Sequence, residues 1–442
     1  MGKTHCLCIT LILGTLAACG RSSLVLQTFP SDGDVIAATD RVGIEFTESM
    51  DQESTESQFH VVPITEGRYF WEDNILWFVA EDPFSPEKTY TAILESRAVT
   101  QDGIELAQTF RWQFKIRRPA IVFLTQAEGT IGLWQKQIAE MTRLSPELEG
   151  EILSYLFASG GSNIIYVVAN AAGGSDLVWS SRLGSQFQVL VDCGADRCTA
   201  PAWSQRAQRI AYSRAHANEA AVTRFDPPRL WTVDPLTGQT SELLQDNHLL
   251  IGGPVWSPDG EYLAFYDALA NGIRILDLAG GKGSILPSGY GVIGSWSPEG
   301  ERMVFPVLQA VEGRFSISLH LASLTSKETT VIVDENVNWL DFGLPSWSPD
   351  GNWIVVGIQS AEHGLGKQLW LMKSDGSGLH PIVLNPEFTH GGYRWDPYGE
   401  KILFQQFSLS DPSAVPEVWL WSMEDEQVQL IAQNAWQPEW LP

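Results

Sequence analysis

Basic residues are scarce in this chain of 442: 28 Lys and Arg stand against 53 Asp and Glu, for a net charge of −25. No basic stripe is available to neutralise phosphates, which argues against nucleic acid as a partner. The acidic excess is spread along the chain rather than gathered in a tail, so it reads as solubility before it reads as an acidic docking surface. Histidine is scarce too, eight in all without paired spacing, and a four-ligand zinc site gains no support from it. The GxSxG elbow, HExxH, P-loop and EF-hand patterns are missing, and with them the signatures of an attached hydrolase domain or a bound nucleotide, zinc or calcium ion. Segments of 3.6-residue period are few, whereas Trp numbers 18, Gly 39 and Pro 24, a composition that favours short strands over helices.

Long apolar runs are also absent. The nearest, Leu7 to Leu16, is too short to cross a bilayer and reads as an export signal after Lys3. Leu16-Ala17-Ala18-Cys19 resembles the lipobox of bacterial lipoproteins, which implies cleavage before Cys19 and a lipid on its thiol. An ordinary secretory signal with an incidental Cys19 is the alternative. Several acyl chains on one residue would hold the protein to a membrane durably, where a single chain would not. After Cys19 only Cys193 and Cys198 remain, and in an exported protein the pair reads as a disulfide closing CGADRC. Half of a zinc site is the rival reading.

Residues 24–118 carry no repeat. Val42 to Phe46, Ile75 to Ala80, Thr89 to Glu95 and Thr109 to Ile116 read as strands, with turn signals at Ser31-Asp32-Gly33, Pro83 to Pro86 and Gln101-Asp102-Gly103. Strands at that spacing predict a β-sandwich. The segments FPSDG, IEFTESMD, TYTAIL and DGIELAQTFRWQF resemble the bacterial Ig-like domain of S-layer and other surface proteins, which implies a spacer or adhesive module.

From residue 119 onward a hairpin recurs. PVWSPDGEYLAF ends at Phe265, GSWSPEGERMVF at Phe305, PSWSPDGNWIVV at Val356 and YRWDPYGEKILF at Phe404, with a worn copy, PAWSQRAQRIAY, ending at Tyr212. Pro pre-sets φ, Asp suits the next turn position, and Gly accepts the left-handed conformation that closes the turn. Each hairpin, strands a and b, is followed by an apolar strand c, a tight turn and a strand d. Four antiparallel strands per repeat of this length predict propeller blades. Tyr155, Trp203, Trp256, Trp296, Trp347, Trp395 and Trp440 mark successive a strands. The last has no b, c or d after it, while Ile121 to Leu124, Ile131 to Trp134 and Met141 to Leu144 read as b, c and d without an a. Joining the two removes both open edges. The expectation is therefore an all-β chain with a seven-bladed β-propeller, six blades being the alternative, after an Ig-like β-sandwich. These repeats resemble the TolB-like β-propeller family at four hairpins over residues 119–442. That family is periplasmic or surface-exposed and mostly binds other proteins.

Gly289 to Gly294 matches GxGxxG, but an a strand rather than a helix follows it, so it reads as an interblade loop. Asp259, Asp350 and Glu299 repeat at one turn position and read as caps. The b–c loops (Arg214 to Arg229, Asp267 to Gly272, Leu308 to Arg314, Ser360 to Lys367 and Ser408 to Glu417) vary in length and chemistry, and they share a face with the d–a loops. That face is the expected binding surface. Its candidate partner-binding residues are Tyr290, Trp339, Asp341, Phe342, Phe388, His390 and Trp436, with Asp341 and His390 read as solvated loop residues. No catalytic, cofactor or metal residue is assigned. The resulting expectation is a signal peptide over 1–18, a lipid-anchored tether over 19–23, the Ig-like domain over 24–118 and the propeller over 119–442. The protein would sit in the cell envelope and bind a protein or glycan without chemistry. A propeller-type glycan hydrolase or lyase is the competing class, and it requires Asp341, His390 and another acid about 6–9 Å apart. A structural surface-layer component is the third.

Replacing Cys19 by Ser is expected to move the protein from the membrane to the soluble fraction on cell fractionation. Continued sedimentation with membranes would refute the anchor.

Overall fold

The computed structural model describes residues 24–127, 130–137, 140–204, 206–244, 253–278, 280–281, 283–311, 314–334 and 339–442. Cys19 and the export signal lie outside the described residues. The chain falls into two compact units, one including 41–79 and 89–114, the other including 35–40, 80–88 and 115–442.

The Ig-like region is a sandwich of two four-stranded sheets. One orders Val25–Phe29, Val42–Phe46, Ile75–Ala80 and Gly67–Glu72; the other orders Asp34–Ile36, Phe110–Ile116, Thr89–Leu94 and Phe59–Val62. Phe110–Ile116 alternates strictly, burying Trp112, Phe114 and Ile116 while Arg111, Gln113 and Lys115 face outward. The strand pattern did not anticipate one short helix, Gln52–Gln58. It starts where the Asp51 side chain accepts the Ser54 N–H at 2.8 Å, an N-cap bond.

The second unit consists of successive four-stranded antiparallel sheets. Blade 2 is Ile152–Ala158, Asn163–Ala169, Ser175–Ser181 and Phe187–Val191. Blade 3 is Arg197–Ser204, Arg209–Ala215, Arg229–Val233 and Thr240–Glu242. A parallel contact between Ser175 and Arg197 joins these two sheets. Blade 4 runs from Val255–Trp256 to Gly283–Pro287, blade 5 from Ser295–Trp296 to Thr329–Val333, and blade 7 from Phe388–Trp395 to Val428–Gln433. In blade 6 the inner position is shared by Trp339–Phe342 and Ser346–Trp347, both paired with Trp353–Ser360. Blade 1 takes b, c and d from Ala120–Ala127, Thr130–Gln137 and Glu140–Arg143, and its inner strand from Ala435–Leu441. Glu439 pairs with Val122 and Trp440 with Ile121, so the end of the chain supplies the strand its beginning lacks.

The turns follow their residue chemistry. The Ser257 hydroxyl donates to Asp259 and accepts the Tyr262 N–H at 2.9 Å, while Asp259 accepts the Glu261 N–H at 3.0 Å. Ser348 and Asp350 repeat the arrangement, and Asp396 takes the serine slot in blade 7. Glu299 instead pairs with Arg302. Gly260 has φ 69°, and a Cβ there would fall 2.7 Å from the Ser204 hydroxyl of the preceding hairpin, so both the turn and its packing require glycine.

The a-strand tryptophans form a pattern that only the structure reveals. In five of them the indole N–H reaches the carbonyl that precedes the corresponding Trp of the blade before it. Trp256 bonds Ala202, Trp296 bonds Val255, Trp347 bonds Ser295, Trp395 bonds Ser346 and Trp440 bonds Arg394, at 3.1 to 3.5 Å. In blade 2 the Tyr155 hydroxyl also reaches the inner strand of blade 1, but at the Gln437 carbonyl, three residues before Trp440, at 2.6 Å.

Two loop expectations are corrected. Leu308 to Arg314 is not an irregular loop, because the ladder of Arg302–Val311 and Arg314–Ser323 continues unbroken to the pair Val311 and Arg314. Trp339, Asp341, Phe342, Phe388, His390 and Trp436 lie in strands rather than loops, because the inner strands begin earlier than the WSPDG signal marks.

Replacing Trp347 by Phe removes the bond to Ser295 from a buried ring. A loss of about 1–3 kcal/mol is expected in chemical denaturation; an unchanged midpoint would count against the inter-blade role.

Candidate functional site

Tyr290, Asp341, Lys367 and His390 come from the blade 4–5 connection and from blades 6 and 7, and they meet on the b–c and d–a face. The Lys367 ammonium lies 2.5 Å from Asp341 Oδ2, and both side chains keep about a third of their surface accessible. The Tyr290 hydroxyl donates to the other oxygen of Asp341 and accepts the Phe342 N–H at 3.0 Å. Burial raises the Tyr290 pKa, and the bond to Asp341 adds to it, so the phenol stays protonated. The Lys367 backbone is gripped by blade 7: its N–H donates to Thr389 Oγ1, and its carbonyl accepts from both the His390 N–H and His390 Nδ1.

His390 is therefore corrected from a solvated residue to a buried one. It is 2% accessible, its ring stands edge-on to Phe404, and Nε2 has no hydrogen-bond partner. Burial lowers its pKa, outweighing the bond to the Lys367 carbonyl, so the ring is held neutral. Phe342 is buried as well and offers no surface to a partner. Trp339 is half-buried and packs edge-on to Trp370, while Phe388 and Trp436 are half-buried. The inner strands carry these rings between blades, because the sheets need apolar filling there.

Cys193 and Cys198 form a disulfide. Its loop presents Asp196, which accepts from Arg214 Nε and the Ala217 N–H, each at 2.9 Å, and lies 2.9 Å from His216 Nδ1. Burial would raise the Asp196 pKa, but these bonds prevail and hold it below the usual carboxylate range.

Sequence reasoning did not identify the residues that line the central channel. A cavity of about 370 Å³ is lined by residues of four successive inner strands, among them Trp256, Trp296, Leu344, Ser346 and Arg394. Arg394 Nε donates to Glu439 at 2.7 Å. Glu439 raises the Arg394 pKa, outweighing desolvation. A signal was present in the repeat. The residue before the tryptophan is Ala202, Val255, Ser295 and Ser346 in four blades, but Arg394 and Glu439 in adjacent blades 7 and 1. Opposite charges at equivalent positions of neighbouring repeats mark an ion pair across the joint.

No group of three or more His, Cys, Asp or Glu gathers in metal-binding geometry among the described residues. Asp341 and His390 reach Lys367 from different sides, one at its ammonium and the other at its carbonyl. Around the mouth, the polar groups hold backbone and neighbouring side chains in place.

Residues 23–116 match the family described as bacterial Ig-like domain. No curated protein sequence matches the chain. Among solved structures, TolB from Acinetobacter baumannii is 15% identical with a TM-score of 0.42, over 74% of this chain and 83% of that one. An oligogalacturonate lyase in complex with manganese is 14% identical with a TM-score of 0.44, over 65% and 75%. A prolyl endopeptidase is 10% identical with a TM-score of 0.50, over 88% of this chain and 51% of that one. At such identities the likeness concerns fold. The protein is all-β, and its fold is that of a β-propeller preceded by a bacterial Ig-like domain.

Because His390 is neutral and buried when folded, the unfolded chain binds more protons there, and stability falls as pH drops below about 6.5. In urea unfolding at pH 7.5 and 5.5, His390→Gln is expected to lose less stability on acidification than the parent. An equal loss in both would show that His390 does not titrate with unfolding.

Proposed function

We propose that this is a lipid-anchored protein of the bacterial cell envelope whose Ig-like domain serves as a spacer and whose propeller binds a protein or glycan without chemistry. The Ig-like match and the export signal ending at Cys19 support the location. The observation that carries the binding reading is the commitment of the mouth's titratable groups. Asp341 is tied to Lys367 and Tyr290, and the His390 ring is buried against a backbone carbonyl. A general acid or base must reach a substrate proton, and these groups instead fix the rim of a rigid surface. The variable b–c loops stand on that surface, where binding residues ordinarily lie.

The test is photo-crosslinking in intact cells from a probe placed at Ala361, in the blade 6 b–c loop. A discrete cross-linked species, lost when the probe is moved to the c–d turn at Ser377, is expected. Release of new sugar ends from envelope polysaccharide by the purified chain would overturn the non-catalytic reading, and no cross-link from any b–c loop would overturn the choice of face.

A further inference from the structure

The loop face of blades 5 to 7 exposes large apolar side chains. Phe315 is 81% accessible, Leu365 80%, Leu340 48%, Val415 48% and Leu409 44%. The equivalent turn of blade 2, residues 170–174, contains only Asn, Ala and Gly, and the b–c loops of blades 3 and 4 expose one large apolar side chain each, Val222 and Leu269. Leu409 reaches to within 3.0 Å of where a Cβ on Gly366 would stand, which places the tips of blades 6 and 7 on one surface. An exposed apolar patch with polar groups around it marks an interaction site.

Two features select the occupant. Aromatic faces of the kind that hold a sugar ring are few here: Phe315 is exposed, but Phe342 and Trp370 are buried and Trp339 is packed edge-on to Trp370. What remains outside is mostly branched aliphatic, which matches apolar side chains of a polypeptide. The charge beside the patch is negative. Glu387 and Asp411 are exposed with no ion-pair partner among the described residues, and the Lys367 ammonium is already held by Asp341.

We propose that this surface docks a segment of another protein that carries leucine-like side chains flanked by lysine or arginine, rather than a glycan. The inference rests on the binding-face reading above and narrows its partner class.

The full chain is titrated, by fluorescence anisotropy and calorimetry, with a leucine–lysine peptide of about 15 residues, its leucine–glutamate counterpart, and a chitin oligosaccharide. The leucine–lysine peptide is expected to bind, and the combined variant Leu340→Ser, Leu365→Ser, Leu409→Ser to weaken it about tenfold or more. Glu387→Gln with Asp411→Asn is expected to weaken it less and to flatten its salt dependence; this pair also decides the case should the serine variant melt early. Equal binding of the glutamate peptide, or leucine–lysine binding indifferent to both variants, overturns the proposal. Oligosaccharide binding that the serine variant abolishes overturns the partner class while leaving the face intact. If no probe responds to any variant, the binding-face reading falls with it.

Discussion

The bond from an indole N–H to the carbonyl of the preceding blade is the constraint on which the propeller depends. Each inner strand pairs with its b strand, and among the described residues blades 2 and 3 meet strand to strand at Ser175 and Arg197. Elsewhere neighbouring sheets are fastened by side chains that reach across the joint. Tryptophan combines the reach to cross that joint with the apolar bulk to fill it, and its single donor has one carbonyl to find. Where blade 2 has no tryptophan, the Tyr155 hydroxyl reaches the inner strand of blade 1 at the Gln437 carbonyl.

The repeat made this architecture legible. Pro, Asp and Gly report the turn because each has a backbone reason to stand where it does, and the lone final strand reported closure because an open edge must be covered. The roles of single side chains were less readable. Tryptophan marked the inner strands, but its donor points to a residue some fifty positions earlier, a relation that periodicity does not encode. The aromatics before those strands looked like surface anchors because their segments lack the hairpin signal. In fact the strands begin earlier, and Phe342 fills an interior. His390 was misplaced for the same reason. Arg394 and Glu439 were recoverable by comparing the repeats column by column, since each breaks a position otherwise held by small or aliphatic residues.

The mouth uses its polarity for rigidity. Tyr290, Asp341, Lys367 and His390 link three consecutive blades through bonds that leave little of their chemistry to spare. A surface fixed in this way loses little freedom when a partner arrives. Exposed apolar tips such as Phe315, Leu365 and Leu409 stand around it. The scaffold repeats, and the loops differentiate it.

Closure by the final strand also has a consequence for biogenesis. Thr125 donates to the carbonyl of Asn434, 309 residues further along. A chain made amino end first therefore leaves Ala120–Ala127 with a bare edge until Ala435–Leu441 has followed. Throughout that interval this strand is a template for mispairing, so completion of the ring waits on the strand that covers it.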